Sequence, residues 1–116
     1  MASFVGSNLA DTITPALVQL GIGTIAGAPG AANDQIFGND GADMLGGGGG
    51  DDTIAGGAQG DTLGGGTGAD SLVGGNGGDS LYDGSGANTF EGGVGADTMR
   101  LDTSVDDALD IVTYAR

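Results

Sequence analysis

GGTGADSLV GGNGGDSLY, residues 65–82, is one nine-residue phrase written twice. Each copy opens on a glycine pair and has a third glycine at position four. Aspartate stands at position six (Asp70, Asp79) and leucine at position eight (Leu72, Leu81). Working outward in the same frame, residues 29–64 read PGAANDQIF, GNDGADMLG, GGGGDDTIA and GGAQGDTLG, and residues 83–100 read DGSGANTFE and GGVGADTMR. Position six runs Asp34, Asp43, Asp52, Asp61, Asp70, Asp79, Asn88 and Asp97, a carboxylate in seven of eight places. Position eight runs Ile36, Leu45, Ile54, Leu63, Leu72, Leu81, Phe90 and Met99, apolar in all eight. A flexible linker or a silk-like segment is also glycine-rich, but neither keeps aspartate and aliphatic residues in register with its glycines.

The repeat dictates a local geometry. Around position eight a three-residue x-U-x strand is expected, too short to stand alone, so it must stack on identical strands above and below. Side chains alternate along a strand, so position eight points inward and positions seven and nine outward. Position seven holds Thr53, Thr62, Ser71, Ser80, Thr89 and Thr98, which suits a solvated face with β preference. The remaining residues must turn sharply, which glycine permits.

Composition says what else the fold needs. Leu, Ile, Val and Phe make up about a fifth of the 116 residues, and the formal net charge is −14. That is close to the composition of a disordered chain. The 28 glycines raise the entropy cost of ordering it further. Cysteine and histidine are absent, which removes disulfides and the usual zinc chemistry. Sixteen carboxylates face two arginines and no lysine, and a hard divalent cation is the natural counterpart.

The pattern G-G-x-G-x-D-x-U-x resembles that of the RTX (repeats-in-toxin) calcium-binding nonapeptide family, whose fold is the haemolysin-type β-roll. GGTGADSLV and GGNGGDSLY match it at every specified position. The resemblance implies an all-β chain, a parallel β-roll (β-solenoid) with two nonapeptides per turn and irregular N- and C-terminal strand caps. Residues eighteen apart then lie in register. One edge stacks Asp34, Asp52, Asp70 and Asn88, and the other stacks Asp43, Asp61, Asp79 and Asp97. Turns about 4.8 Å apart would bring bare carboxylates into strong repulsion. The implied ligands are those position-six residues together with backbone of Gly47, Gly48, Gly50, Gly56, Gly57, Gly65, Gly66, Gly68, Gly74, Gly75 and Gly77. Three gaps on each edge accommodate roughly six Ca2+ ions, each taking six to eight oxygens. Roughly six ions would bring the charge from −14 to about −2.

A solvated acidic face or simple turn-forming aspartates would not hold one column through eight repeats. That plainer account is the expectation for the off-column acids Asp40, Asp51, Asp83, Asp102, Asp107, Asp110 and Glu91. Asn88 replaces a carboxylate with a neutral amide, so weaker binding is expected against Asp70. Gln59 and Ala32 replace glycine at position four and Asp83 replaces it at position one, each expected to strain a loop or cost a site. Pro29 and Ala31 make the first repeat the least regular.

Three segments are expected: a degenerate repeat and apolar cap over residues 1–28, the roll over 29–100, and a C-terminal cap over 101–116. GSNLADTIT (6–14) places Asp11 and Ile13 like a worn repeat. Asp11 lies 23 residues before Asp34, not a multiple of nine, so PALVQLGIGTIAGA (15–28) is read as an insertion carrying strands over the first coil. A membrane span there is opposed by Pro15, Gln19, the glycines and the lack of a basic flank. In the tail, Asp106 and Ala108 keep the frame weakly and DIVTY (110–114) reads as a strand. Leu101, Val105, Leu109 and Val112 also fit helical spacing. A strand cap is favoured and the helix stays open.

MASFVGSNLA shows neither a basic region nor an apolar run of the kind a cleavable export signal carries. The resemblance implies type I export through an uncleaved C-terminal signal, with which the acidic, aliphatic tail is compatible. Calcium sites of micromolar to millimolar affinity would fill outside the cell and not in the cytosol. Without His, Cys or Lys the nucleophile–base pairs of hydrolases cannot be assembled, and the carboxylates are committed to the columns. The chain is therefore expected not to be an enzyme. The charge opposes nucleic-acid binding. An ice-binding roll would need a regular Thr or Asn column in the loops, and position three (Ala31, Asp40, Gly49, Ala58, Thr67, Asn76, Ser85, Val94) is none. The expected role is an extracellular structural subunit that self-associates end to end, forming filaments or matrix. The alternative is a calcium-triggered folding or export module of a larger secreted adhesin or enzyme. The methionine at position 1 and the degenerate ends favour a complete small protein.

Overall fold

The computed structural model describes residues 3–6, 12–14, 17–18, 23–25, 33–82, 84–101 and 111–113. Within them the chain is strand and turn, with no helix. The repeats form β5 (Gln35–Asp40), β6 (Met44–Gly49), β7 (Thr53–Ala58), β8 (Thr62–Thr67), β9 (Ser71–Asn76), β10 (Ser80–Tyr82), β11 (Thr89–Val94) and β12 (Thr98–Arg100). Alternate strands join alternate sheets. β5, β7, β9 and β11 stack in one sheet and β6, β8, β10 and β12 in the other, all parallel. Two nonapeptides therefore make one turn of a β-solenoid. Thr53 lies on Ser71 and Ser71 on Thr89, the eighteen-residue register of the repeat.

Full strands run six residues, longer than the three expected, because the ladder continues past position nine. Pairing lapses at position one and resumes at positions two and three, as where Gly57 meets Gly75 and Ala58 meets Asn76. Glycine is a poor strand former in isolation, but a neighbour in register above and below overrides local preference. Alternation then turns positions eight and one inward and leaves position seven facing solvent.

The core is thin and regular. Ile36, Ile54, Leu72 and Phe90 form a buried column from one sheet, and Leu45, Leu63 and Leu81 form one from the other. Met99 and Val112, partly buried, pack against its end. Each fully buried aliphatic side chain contributes about 2 kcal/mol.

Both ends are strand caps. β1 (Ser3–Gly6) and β2 (Thr12–Thr14) run parallel to β5 and β6, with Phe4 opposite Ile36 and Ile13 opposite Leu45. Both offsets are 32 residues, 14 more than the 18 of the regular coil, which is the length of the 15–28 insertion. The insertion carries β3 (Leu17–Val18), antiparallel to β2, and β4 (Gly23–Ile25), antiparallel to β1. No helix among the described residues is long and apolar enough to cross a membrane. At the other end β13 (Ile111–Thr113) adds to β11, placing Val112 opposite Phe90. The strand expectation for the tail holds, but its frame is corrected. Val112 lies opposite Phe90, four residues later than the frame expects, and packs against the end of the core; Ala108 lies outside the described residues. Asp106 lies outside the described residues.

Candidate metal centre

The loops joining the strands place the aspartate columns. Positions four to six make each turn, and backbone conformation explains the glycines within and before it. Position two has positive φ at Gly48, Gly57, Gly66 and Gly75, and so does position four at Gly50, Gly68 and Gly77. An L side chain is strained in that region. Asn39 and Gln59 adopt it nevertheless, at φ 76° and 78°, so the strain expected at Gln59 is present.

Position one obeys a different rule. A Cβ on Gly38, Gly47, Gly56 or Gly74 would come within 3.0 Å of Oδ2 of the aspartate five residues on, respectively Asp43, Asp52, Asp61 and Asp79. The same Cβ would meet the carbonyl oxygen of the position-one glycine in the next turn, Gly74 in the case of Gly56. Glycine here leaves the space that the carboxylate occupies, and oxygens from two successive turns border that space. Gly65 is likewise buried in β8. Ala32, Pro29, Ala31 and Asp83 lie outside the described residues.

Each aspartate is held by its neighbour one turn away. The backbone N–H of Asp34 donates to Oδ1 of Asp52 at 2.8 Å, that of Asp52 to Asp70 at 2.7 Å, and that of Asp70 to Oδ1 of Asn88 at 2.9 Å. On the opposite edge Asp43 donates to Asp61, Asp61 to Asp79 and Asp79 to Asp97, at 2.8 to 2.9 Å. The structure thus brings together all eight predicted position-six residues in two columns, Asp97 half-buried and the others buried.

Electrostatics make these columns costly without a counter-ion. Oδ2 of Asp61 and of Asp79 is buried with no hydrogen-bond donor. Oδ2 of Asp43, Asp52 and Asp70 is buried as well. Burial raises the Asp61 carboxyl from 3.8 to about 6, against the lowering effect of the Asp43 N–H, and the charges of Asp43 and Asp79 raise it further. Asp79 is raised for the same reason, with Asp97 as its charged neighbour. Among the described residues no three carboxylates converge, so a cation here must draw on backbone carbonyls too. Paired carboxylate and carbonyl oxygens are a hard-cation donor set and suit calcium.

One arrangement was not anticipated. Off the column, the Asp51 N–H donates to Oδ1 of Asn33 at 2.8 Å, and Oδ1 of Asp51 accepts from the Ala69 N–H at 2.9 Å. Asp51 is a rung between turns, and the signal for it was Asn33 and Asp51 at the same position eighteen residues apart.

The sequence profile of the RTX calcium-binding nonapeptide repeat (4 copies) matches residues 29–63 and 64–99. No curated protein and no solved structure matches the chain. The profile covers more than half of the sequence, and the coil, glycine conformations and oxygen-lined loops are those its repeat requires: the chain belongs to the RTX nonapeptide-repeat family and is a calcium-binding β-roll.

Proposed function

We propose that the chain is an exported structural subunit whose roll forms when calcium fills the loops at its two edges. Asp34, Asp43, Asp52, Asp61, Asp70, Asp79 and Asp97 are the side-chain ligands, with carbonyls of the glycine positions completing each shell. The observation that carries this reading is the buried, donor-free Oδ2 of Asp61 and Asp79, which a bound cation would satisfy. Binding free energy of this kind becomes folding free energy when the site does not exist in the unfolded chain. A calcium-rich extracellular setting follows from the affinity range of such sites. The absence of His, Cys and Lys supports a non-catalytic role.

End-to-end association would place β12 and β13 of one copy against the opposite pole of the next, a heterologous contact that builds filaments. The N-terminal pole favours the second reading, a module within a larger secreted protein. There β3 and β4, of two and three residues, lie antiparallel on the coil, a short edge of the sort that blunts sheet-to-sheet pairing. A calcium titration followed by circular dichroism and light scattering tests both. A chelator-reversible gain of β signal with growing scatter supports the polymerising subunit. The same gain in a protein that stays monomeric at high concentration leaves the module. No spectral response to calcium overturns the calcium-folding proposal.

A further inference from the structure

The geometry points to Asn88 as a built-in substitute for a metal ion, its side-chain amide closing a loop where a carboxylate would require calcium. The inference rests on the calcium proposal and refines it, because one place in the aspartate columns then carries no ion.

The first terminal atom of residue 88 is held like that of its column mates. Oδ1 accepts from the Asp70 N–H at 2.9 Å, as Oδ1 of Asp70 accepts from Asp52 at 2.7 Å. The following strand keeps the register, with Thr89 on Ser71 and Phe90 on Leu72. With backbone and Oδ1 fixed, the second terminal atom takes the place that Oδ2 takes in an aspartate. In Asn88 that atom is Nδ2, and it donates to the Gly86 carbonyl oxygen at 3.0 Å. Gly86 is position four of its repeat, at φ 122°, close to Gly68 at 126°.

An aspartate in this loop would turn a lone-pair oxygen toward the same carbonyl. Two acceptors facing each other need a proton or a cation between them. Asn88 supplies the hydrogen covalently and adds no negative charge beside Asp70, about 4.8 Å away along the column. Within the folded roll this loop needs no ion of its own to close. The edge bearing Asn88 therefore takes one ion fewer than the opposite edge.

The test compares the wild-type chain with Asn88→Asp and the reciprocal Asp79→Asn, counting bound calcium by isothermal titration calorimetry and following β signal by circular dichroism. Asn88→Asp is expected to bind one ion more than wild type and to lose β signal remaining in chelator. Asp79→Asn is expected to bind one ion fewer and still fold with calcium, its new amide bonding the carbonyl of Gly77. Equal calcium counts in wild type and Asn88→Asp, with both folded, overturn the inference. If Asn88→Asp fails to fold, Asp79→Asn decides it: an unchanged count, or loss of folding at saturating calcium, overturns it. A wild-type chain that ignores calcium altogether defeats the underlying proposal instead.

Discussion

A methyl group added at Gly56 would collide with the Asp61 carboxylate and with the Gly74 carbonyl, backbone of the next turn. Neither yields easily, so Gly56→Ala is expected to destabilise the calcium-loaded roll by about 1–3 kcal/mol, the range for overpacking. A raised calcium midpoint in a circular-dichroism titration would register it. Gln59→Gly runs the other way. It relieves a left-handed non-glycine residue at φ 78° and should stabilise by about 1 kcal/mol, seen as a higher Tm at fixed calcium. At this scale the aspartate and aliphatic columns were plain in the sequence, since their residue types are specific and their period strict. The division of labour among glycines was not. Positions one, two and four carry the same letter, yet position one makes room for a carboxylate while two and four supply positive φ. Only the structure tells them apart, and at positions two and four a Cβ would also meet a backbone carbonyl of the neighbouring turn, as on Gly57 or Gly68.

The strands draw their strength from neighbours. Leu72 in β9 sits buried between Ile54 of β7 and Phe90 of β11 in the ladder, so Leu72→Ala opens a cavity in the middle of the stack. A loss of about 2–5 kcal/mol is expected, measured by thermal melting in saturating calcium. The same dependence explains which elements were legible. The insertion at residues 15–28 announced itself through the broken interval between Asp11 and Asp34, and β1 and β2 resume the parallel register once it is passed over. Strand length was understated because glycine-rich stretches read as turn until a partner ladder is present. The tail's register was hidden for another reason: four extra residues precede Val112, and nothing in their composition marks an insertion.

Across the whole roll the charge columns set opposite responses to pH with and without metal. Asp61 is raised in the folded state to about 6, from 3.8, so the metal-free roll binds a proton more readily than the unfolded chain. Its contribution to metal-free stability is complete below about pH 3.8 and is lost as pH rises through about 6. In chelator, β signal should be greater at pH 4 than at pH 7. With calcium the order reverses, because the ligands must be deprotonated to bind it. Saturating calcium should raise Tm more at pH 7 than at pH 4. Equal calcium-induced gains at the two values would mean that the buried carboxylates are not the ligands.

The rungs between aspartates all point one way: each N–H reaches forward to the carboxylate eighteen residues later. Trimming the chain from its C-terminal side strips an acceptor from the coil left behind and strands a buried amide. Trimming from the N-terminal side strips a different acceptor, because the N–H after each aspartate reaches back to an aspartate carbonyl nineteen residues earlier, as Thr53 does to Asp34 and Ser71 to Asp52. The roll is therefore polar along its axis, each coil tied toward the C-terminus by carboxylates and toward the N-terminus by main-chain carbonyls.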